Sequence, residues 1–471
     1  MQSTLAFGFK PGQSTISFRR RSRRLLLSFL CAIMVLDGPL DFAAASIEET
    51  SRSGFISLES LGFLRKSQIR DLSSTIVTLS PNFSTEGSII EAKFEGLGSF
   101  VVSDPSAYSI DAVNAYIGTS RKWSELHQFS LGRKRVAWSQ ADDFWKLGTW
   151  SPRFMWDPIH PTSLGLPGLF YRYQSKRWRV QLYGSPISIP ERGTPLETVD
   201  GDLVSSSPFH VPYPERVQFE NQVLDIRYSI GLPPLSQLVF NPGAAVKIRY
   251  GEARGGFGSI GYAYLPMHQP DLKLRATVDS PNLTLNAEVE PQVIHRHLVT
   301  AEVGYQYQNW LFYGSLSRDI PQTDFSQEGI ITQPIGPAWI SSMGARLDLG
   351  KGYFWETSFL NITESLTSRS DETDLTLSLY NRFPYRQALR SSLNLDTGAR
   401  ISYEVELTYD IPNSSGLLSA DVRYVLGKKQ SGETRWFLGV GTDWFVSGTT
   451  QGLIGQYRGE DRFRGRIAYA F

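Results

Sequence analysis

The chain has 471 residues, 41% of them apolar and 13% aromatic, and its 47 basic and 46 acidic residues leave a formal charge of only +1. That balance excludes a nucleic-acid binder, which needs a basic face or stripe. The single cysteine, Cys31, excludes a disulfide framework, and only one long apolar run occurs, which excludes a bundle of membrane-spanning helices.

The first segment reads "FRRRSRRLLLSFLCAIMVL": a basic run from Arg19 to Arg24, then twelve mostly apolar residues from Leu25 to Leu36. Ala43 and Ala45 follow in a small-x-small arrangement. This order predicts an export signal over residues 1–45, cut after Ala45. The apolar run falls short of the ~20 residues that a spanning helix needs. The signal holds six basic and two acidic residues, a net +4, so the remaining 426 residues carry −3 and no cysteine. An exported chain of that length without disulfides must be held together by its architecture. Residues 46–85 read as an N-terminal segment, either short strands or a periplasmic lead-in.

From residue 86 to 471 one pattern recurs. In "ISYEVELTYD" Ile401, Tyr403, Val405, Leu407 and Tyr409 alternate with Ser402, Glu404, Glu406 and Thr408. "VLDIRYSI", "AVKIRY", "LKLRATV", "LTLNAEV", "VTAEVGYQYQ", "ARLDLG", "DLTLSLY" and "LSADVRYVL" repeat the alternation, with turn signals such as "DSPN" and "DIPNSSG" between strands. Period two means strands with unlike faces. No blade repeat of about 40 residues marks a propeller. Serial two-faced strands of ~10 residues, with aromatics near their ends, are the signature of a transmembrane barrel. Trp310, Tyr353, Trp355, Trp436 and Trp444 occupy such ends. Lipid cannot satisfy an open sheet edge, so the sheet must close. The expected fold is all-β, a closed antiparallel transmembrane β-barrel of 18–24 strands. Counting back from the C-terminus places 427–434, 363–372 and 319–338 on the outside. The alternation fails at "GLPPLSQLVFNPG", residues 231–243, where a further strand "SQLVF" would restore the count.

In the final "DRFRGRIAYAF", Phe463, Gly465, Ile467, Tyr469 and Phe471 share one face and Arg462, Arg464 and Arg466 the other. This stretch resembles the last strand of bacterial outer-membrane barrel proteins, which ends in Phe with apolar or aromatic residues at alternate positions upstream. The resemblance implies an outer-membrane location and an assembly signal in Phe463, Ile467, Tyr469 and Phe471, read by the barrel insertion machinery. Gly465 departs from the pattern. Residues 131–170 resemble a second porin-like feature, Gly-Arg-x-x-Val-x-Trp followed by Asp-Pro and Pro-Gly. Gly132, Arg133, Val136, Trp138, Asp157, Pro158, Pro167 and Gly168 fit it, while Ser139 stands where such families carry Gly. These features imply a porin-like channel for passive diffusion of small solutes.

The least repetitive region, 139–167, interleaves tryptophans with charges, and long segments inside barrels fold inward and constrict the lumen. It supplies the candidate constriction: Arg133, Arg135, Trp138, Asp142, Asp143, Trp145, Arg153 and Asp157. An outer loop whose tryptophans pack among themselves is the plainer alternative. Parity points Arg227, Lys247, Arg249, Lys273, Arg275, Arg346, Arg423 and Arg435 into the lumen, against Asp225, Glu288, Glu302, Asp348, Glu404, Glu406 and Asp421. Cross-strand pairing would stiffen the wall, and the basic run from Arg227 to Arg275 would make a mild anion-preferring track. No histidine sits in a serine-nucleophile signature, and His295 and His297, in an apparent loop, lack further metal ligands. An enzyme and a cofactor are therefore not expected. Outer-membrane lipid and a small solute are the expected partners, and an assembly or adhesion platform acting through its surface loops is the alternative.

Overall fold

The computed structural model describes residues 47–470 apart from 65–72, 105, 206, 211–212, 214, 220–221, 253–254, 323–330, 333–334, 351, 366–381, 397–399 and 427–434. The predicted export signal, Phe471 and the strand candidate "DLTLSLY" lie outside the described residues.

Eighteen strands form one closed antiparallel sheet. The first seven are β1 (Ile47–Phe63), β2 (Ser73–Gly87), β3 (Ile90–Val101), β4 (Tyr108–Thr119), β5 (His127–Lys134), β6 (Leu166–Gln174) and β7 (Trp178–Ser185). Next come β8 (Gly243–Gly251), β9 (Gly255–Pro266), β10 (His295–Tyr307), β11 (Trp310–Pro321), β12 (Ala338–Gly350) and β13 (Tyr353–Glu364). The last five are β14 (Gln387–Asp396), β15 (Ile401–Asp410), β16 (Ser415–Leu426), β17 (Arg435–Val446) and β18 (Arg462–Ala470). Each pairs with its neighbours in chain order, and β18 closes the ring against β1, Phe55 opposite Ala470 and Glu59 opposite Arg466. Closure leaves no unpaired edge, which is what lets such a sheet stand in lipid.

The wall begins earlier than the sequence suggested. Segment 46–85, read as either short strands or a periplasmic lead-in, supplies β1 and most of β2, whose alternation is blurred by serines and threonines.

Parity gives the wall its two faces. Val405 and Leu407 on β15, Leu418 and Val422 on β16, Leu438 and Val440 on β17, and Phe463 and Ile467 on β18 are exposed on the outside. On the other face Arg462 and Asp443 are buried. A surface studded with large exposed side chains of this kind fits hydrocarbon and not water. Aromatic rings bound the band at both rims: Trp436 with Tyr469, Trp178 with Tyr250 and Trp310 with Phe312 at one, Trp444 with Phe463 and Tyr264 with His295 at the other.

Ala470, Arg435, Leu426 and Ile401 share one rim, where the connections are short. The opposite rim carries the long ones: 135–165, 186–242, 267–294, 322–337, 365–386 and 447–461. The strand ends flanking 427–434 therefore place that connection on the short-turn rim, not outside as the count had it. The long stretches near 319–338 and 363–372 do start from the long-loop rim.

The count also took in strands that are not wall. Arg216–Phe219, Gln222–Ile230, Thr284–Gln292, Asp271–Asp279 and Ile331–Thr332 pair in that order as a separate five-stranded sheet, with 222–230 parallel to 284–292. Its apolar face closes over its own small core of Leu224, Ile226, Tyr228, Leu285, Ala287 and Val289. Asp225, Arg227, Lys273, Arg275 and Glu288 thus belong to this sheet and do not line the lumen; Arg275 and Glu288 pair at 3.7 Å on its surface. Nor is "SQLVF" a strand: Leu235–Val239 is one turn of helix. The break in the alternation is part of a single long connection between β7 and β8.

Candidate functional site: a segment folded across the lumen

Segment 135–165 leaves β5 and returns as β6, two strands paired with each other. Gly132 makes the departure possible, since at φ +126° a Cβ would lie 2.3 Å from the Ala115 carbonyl oxygen and 2.8 Å from Tyr116 Cα. The first turn of the segment is α1 (Gln140–Trp145), capped by the Ser139 hydroxyl, which accepts from the Asp142 N–H at 3.3 Å. The Asp142 carboxylate then accepts from the Thr149 N–H at 2.8 Å, the Thr149 hydroxyl at 2.6 Å and the Trp150 N–H at 3.0 Å. These bonds fold the segment back on itself.

Its tryptophans face the wall. Trp138 and Trp150 stack at 5.2 Å and 10°. Trp150 Nε1 donates to Thr300 Oγ1 on β10 at 3.0 Å, and Trp145 Nε1 to Ser358 Oγ on β13 at 3.1 Å. Each buried indole removes roughly 200 Å² from water, worth about 5 kcal/mol before ordering costs. Gly261 on β9 makes room, because a Cβ there would sit 3.2 Å from the Trp150 ring. Inward residues at the long-loop ends of the strands are apolar to match: Ile340, Leu360, Ile362, Leu417 and Phe445 pack around Trp145, and Ala245, Ala263, Leu265 and Leu298 around Trp138 and Trp150.

Wall cations hold the segment's backbone. Lys247 donates to the Trp138 carbonyl at 2.5 Å, Arg390 to that of Phe144 at 2.7 Å, and Arg296 to that of Thr149. Glu302 on β10 accepts from the Gln140 N–H at 2.7 Å and from Lys247 at 2.8 Å. At the far end Arg462 on β18 bridges Asp157, at 2.7 Å, and Asp443, at 2.6 Å, and His160 Nε2 lies 3.0 Å from Asp443. The anchors fall on β8, β10, β13, β14, β17 and β18, so the segment spans the lumen.

The candidate residues part into two groups. Trp138, Asp142, Trp145, Arg153 and Asp157 serve as pins; Arg153 is buried against Glu191, at 2.8 and 2.9 Å. Arg133 is buried too, paired with Asp111 and donating to the Gly165 carbonyl at 3.0 Å. Arg135 and Asp143 alone are exposed. Asp143 is enclosed by protein yet reached by solvent, and burial, helped by the neighbouring Asp142 carboxylate, pushes its pKa up to about 7. Of the candidates for the constriction, Asp142 is engaged by hydrogen bonds from Thr149 and Trp150 and Arg153 by the ion pair with Glu191.

On the long-loop side of the segment lies a cavity of ≈ 1040 Å³, bordered by Trp145, Lys146, Phe209, Tyr385, Tyr457 and Arg458. Desolvation, with Arg390 beside it, holds the Lys146 pKa below the usual lysine range. Toward the short-turn rim Arg172, Arg179 and Arg249 project inward from β6, β7 and β8, with Arg179 directly opposite Arg249. Arg172 donates to Gln128, and the Arg249 guanidinium lies 3.8 Å from the Phe257 ring. No carboxylate among the described residues pairs with these three. Arg249 was read from parity as a lumen residue. Arg172 and Arg179 were missed, although "FYRYQSKRWRV" carries them opposite its apolar positions. His295 and His297 open β10 and do not lie in a loop. Among the described residues no group of three or more His, Cys, Asp or Glu side chains could hold a metal.

The fold is that of a transmembrane β-barrel whose lumen is crossed by one of its own connections. No family model and no curated protein matches the sequence. Among solved structures, OccAB1 of Acinetobacter baumannii is similar over 92% of this chain and 99% of its own, at 10% identity and a TM-score of 0.46. OccD3 (OpdP) of Pseudomonas aeruginosa is similar over 91% and 93%, at 9% identity and 0.43. A mutant Rh. blastica porin is similar over 90% and 100%, at 9% identity and 0.37.

Proposed function

We propose that the protein is an outer-membrane channel through which small solutes diffuse, and that segment 135–165 is its constriction. The observation that carries this reading is the segment itself, anchored on six wall strands around the ring with a cavity on one side and a solvated basic arc on the other. A barrel of eighteen strands is too wide for its wall side chains to fill. The long loops face outward and the short turns face the periplasm, as in outer-membrane barrels generally. A solute would meet the ring-lined cavity first, then pass the segment beside Arg172, Arg179 and Arg249. These arginines favour anions, because among the described residues no carboxylate forms an ion pair with them in a confined space. The anion track thus moves from the Arg227–Arg275 run to β6–β8.

Phe463, Ile467 and Tyr469 lie on the strand that seals the ring, which supports their reading, with Phe471, as the assembly signal.

Purified protein in planar bilayers should give discrete conductance steps, and replacing 142–156 by a short linker should enlarge them. Protein that is electrically silent in both forms would favour a platform acting through its surface loops. Deleting Phe471 should lower the amount of folded barrel in the outer membrane, and normal levels would remove the assembly-signal reading.

A further inference from the structure

The connection between β7 and β8 holds a segment that neither the wall nor the constriction explains. No charged residue stands between Arg227 and Lys247. Within this stretch the helical turn Leu235–Val239 buries none of its residues. Leu232, Leu235 and Phe240 are 79%, 74% and 69% exposed. None of residues 231–242 borders the cavity above segment 135–165.

Their position in the fold fixes their height. Val239 accepts from the Ser188 N–H at 2.8 Å, three residues beyond the end of β7. The Pro242 carbonyl accepts from His295 Nε2 at 3.1 Å. That His295 ring stacks on Tyr264 at 5.0 Å, and Tyr264 is paired across the sheet with Ala244. The segment therefore joins the wall at the aromatic girdle of the long-loop rim and runs directly into the lipid-facing side of β8, Ala244, Val246 and Ile248.

We propose that residues 231–242 are a membrane-interface anchor, with Leu232, Leu235 and Phe240 seated among the acyl chains of the outer leaflet beside β8. The continuity with the lipid-facing band selects lipid as the occupant. A partner copy would need a far larger surface, of the order of 800 Å² per side, than three side chains on one turn present. With no charge in the segment, its insertion rests on apolar area alone and is indifferent to headgroup charge. The inference depends on the barrel lying in a bilayer and not on its conducting solutes.

The test uses the full chain with Cys31→Ser and a nitroxide on Leu235→Cys, reconstituted in phosphatidylcholine vesicles. Labels at Ile248→Cys and Asp225→Cys give the lipid and water references. The expected result is collision with dissolved oxygen exceeding collision with a water-soluble nickel chelate, as at Ile248, and unchanged in vesicles containing phosphatidylglycerol. Nickel access like that at Asp225 would overturn the anchor. Spin–spin broadening with neither reagent reaching the label would overturn it in favour of a second copy. A label on Leu232→Cys repeats the measurement should the cysteine at 235 disturb the turn. Adding Leu235→Glu and Phe240→Glu to that labelled chain should open it to nickel while conductance in the same preparation stays the same.

Discussion

Two arcs of the inner wall carry arginines in the same alternating pattern and use them differently. On β16–β18 and β1 every inward arginine of the last strand has a carboxylate: Arg462 with Asp443 and Asp157, Arg464 with Asp421 at 2.7 Å, Arg466 with Glu59. On β6–β8, Arg172, Arg179 and Arg249 face the lumen with no paired carboxylate among the described residues. The first arc shows how charge is buried: Arg462 is 2% exposed, and only a matched pair of carboxylates makes that tolerable. The second shows that water remains on that side, since like charges held directly across a ladder would otherwise be costly. Identical residues at equal parity thus report opposite solvents.

The largest effect should come from breaking the paired arc. Arg462→Met leaves the Asp443 and Asp157 carboxylates short of their shared cation, which should cost about 3–5 kcal/mol in reversible unfolding from lipid. It should also free the far end of segment 135–165, giving noisier and larger conductance steps. Wild-type stability and steps would show that the pin bears no load. Next in size is the outer face of the same arc: Val405→Arg, at mid-strand toward lipid, should cost about 2–4 kcal/mol. Glu404→Gln, its inward neighbour, should unfold like the wild type, and equal tolerance at both positions would contradict a lipid-facing band.

The unpaired arc should respond in selectivity and not in stability. Arg179→Gln with Arg249→Gln should shift the reversal potential in a salt gradient toward cations, with stability changed by no more than about 0.5 kcal/mol. An unchanged reversal potential would mean that ions avoid this arc. The smallest effect belongs to Asp143, which faces Lys247, Arg135, Glu302 and Asp142. Its raised pKa keeps it protonated below about pH 7 and ionised above, so cation preference should rise as pH climbs through 7. Asp143→Asn should flatten that rise, and a rise that persists would assign it to another group.

Much of the wall was legible because a strand's parity is a local property. Val405 against Glu404, or Phe463 against Arg462, declares two unlike faces whatever surrounds them. What parity cannot declare is the nature of each solvent. "LKLRATV" and "LTLNAEV" alternate as cleanly as "ISYEVELTYD", yet their apolar face meets Leu224 and Ile226 in a small protein core. That single ambiguity misplaced Arg227 and Arg275. One signal could have warned of the folded segment: inward positions such as Leu360, Ile362 and Leu417 turn apolar toward one end of their strands, which a water-filled lumen does not ask for.

The sequence by itself determined a serial two-faced β-pattern and a tryptophan-rich interruption between β5 and β6. Only the tertiary structure decided that eighteen strands close, that β1 and β2 belong to the ring, and that Asp142, Arg153 and Asp157 are pins while Asp143 faces the lumen. The physical reason is range. Alternation is written between neighbours, whereas the partner of Asp157 is Arg462 and that of Trp145 is Ser358, and only closure of the ring brings such residues within reach.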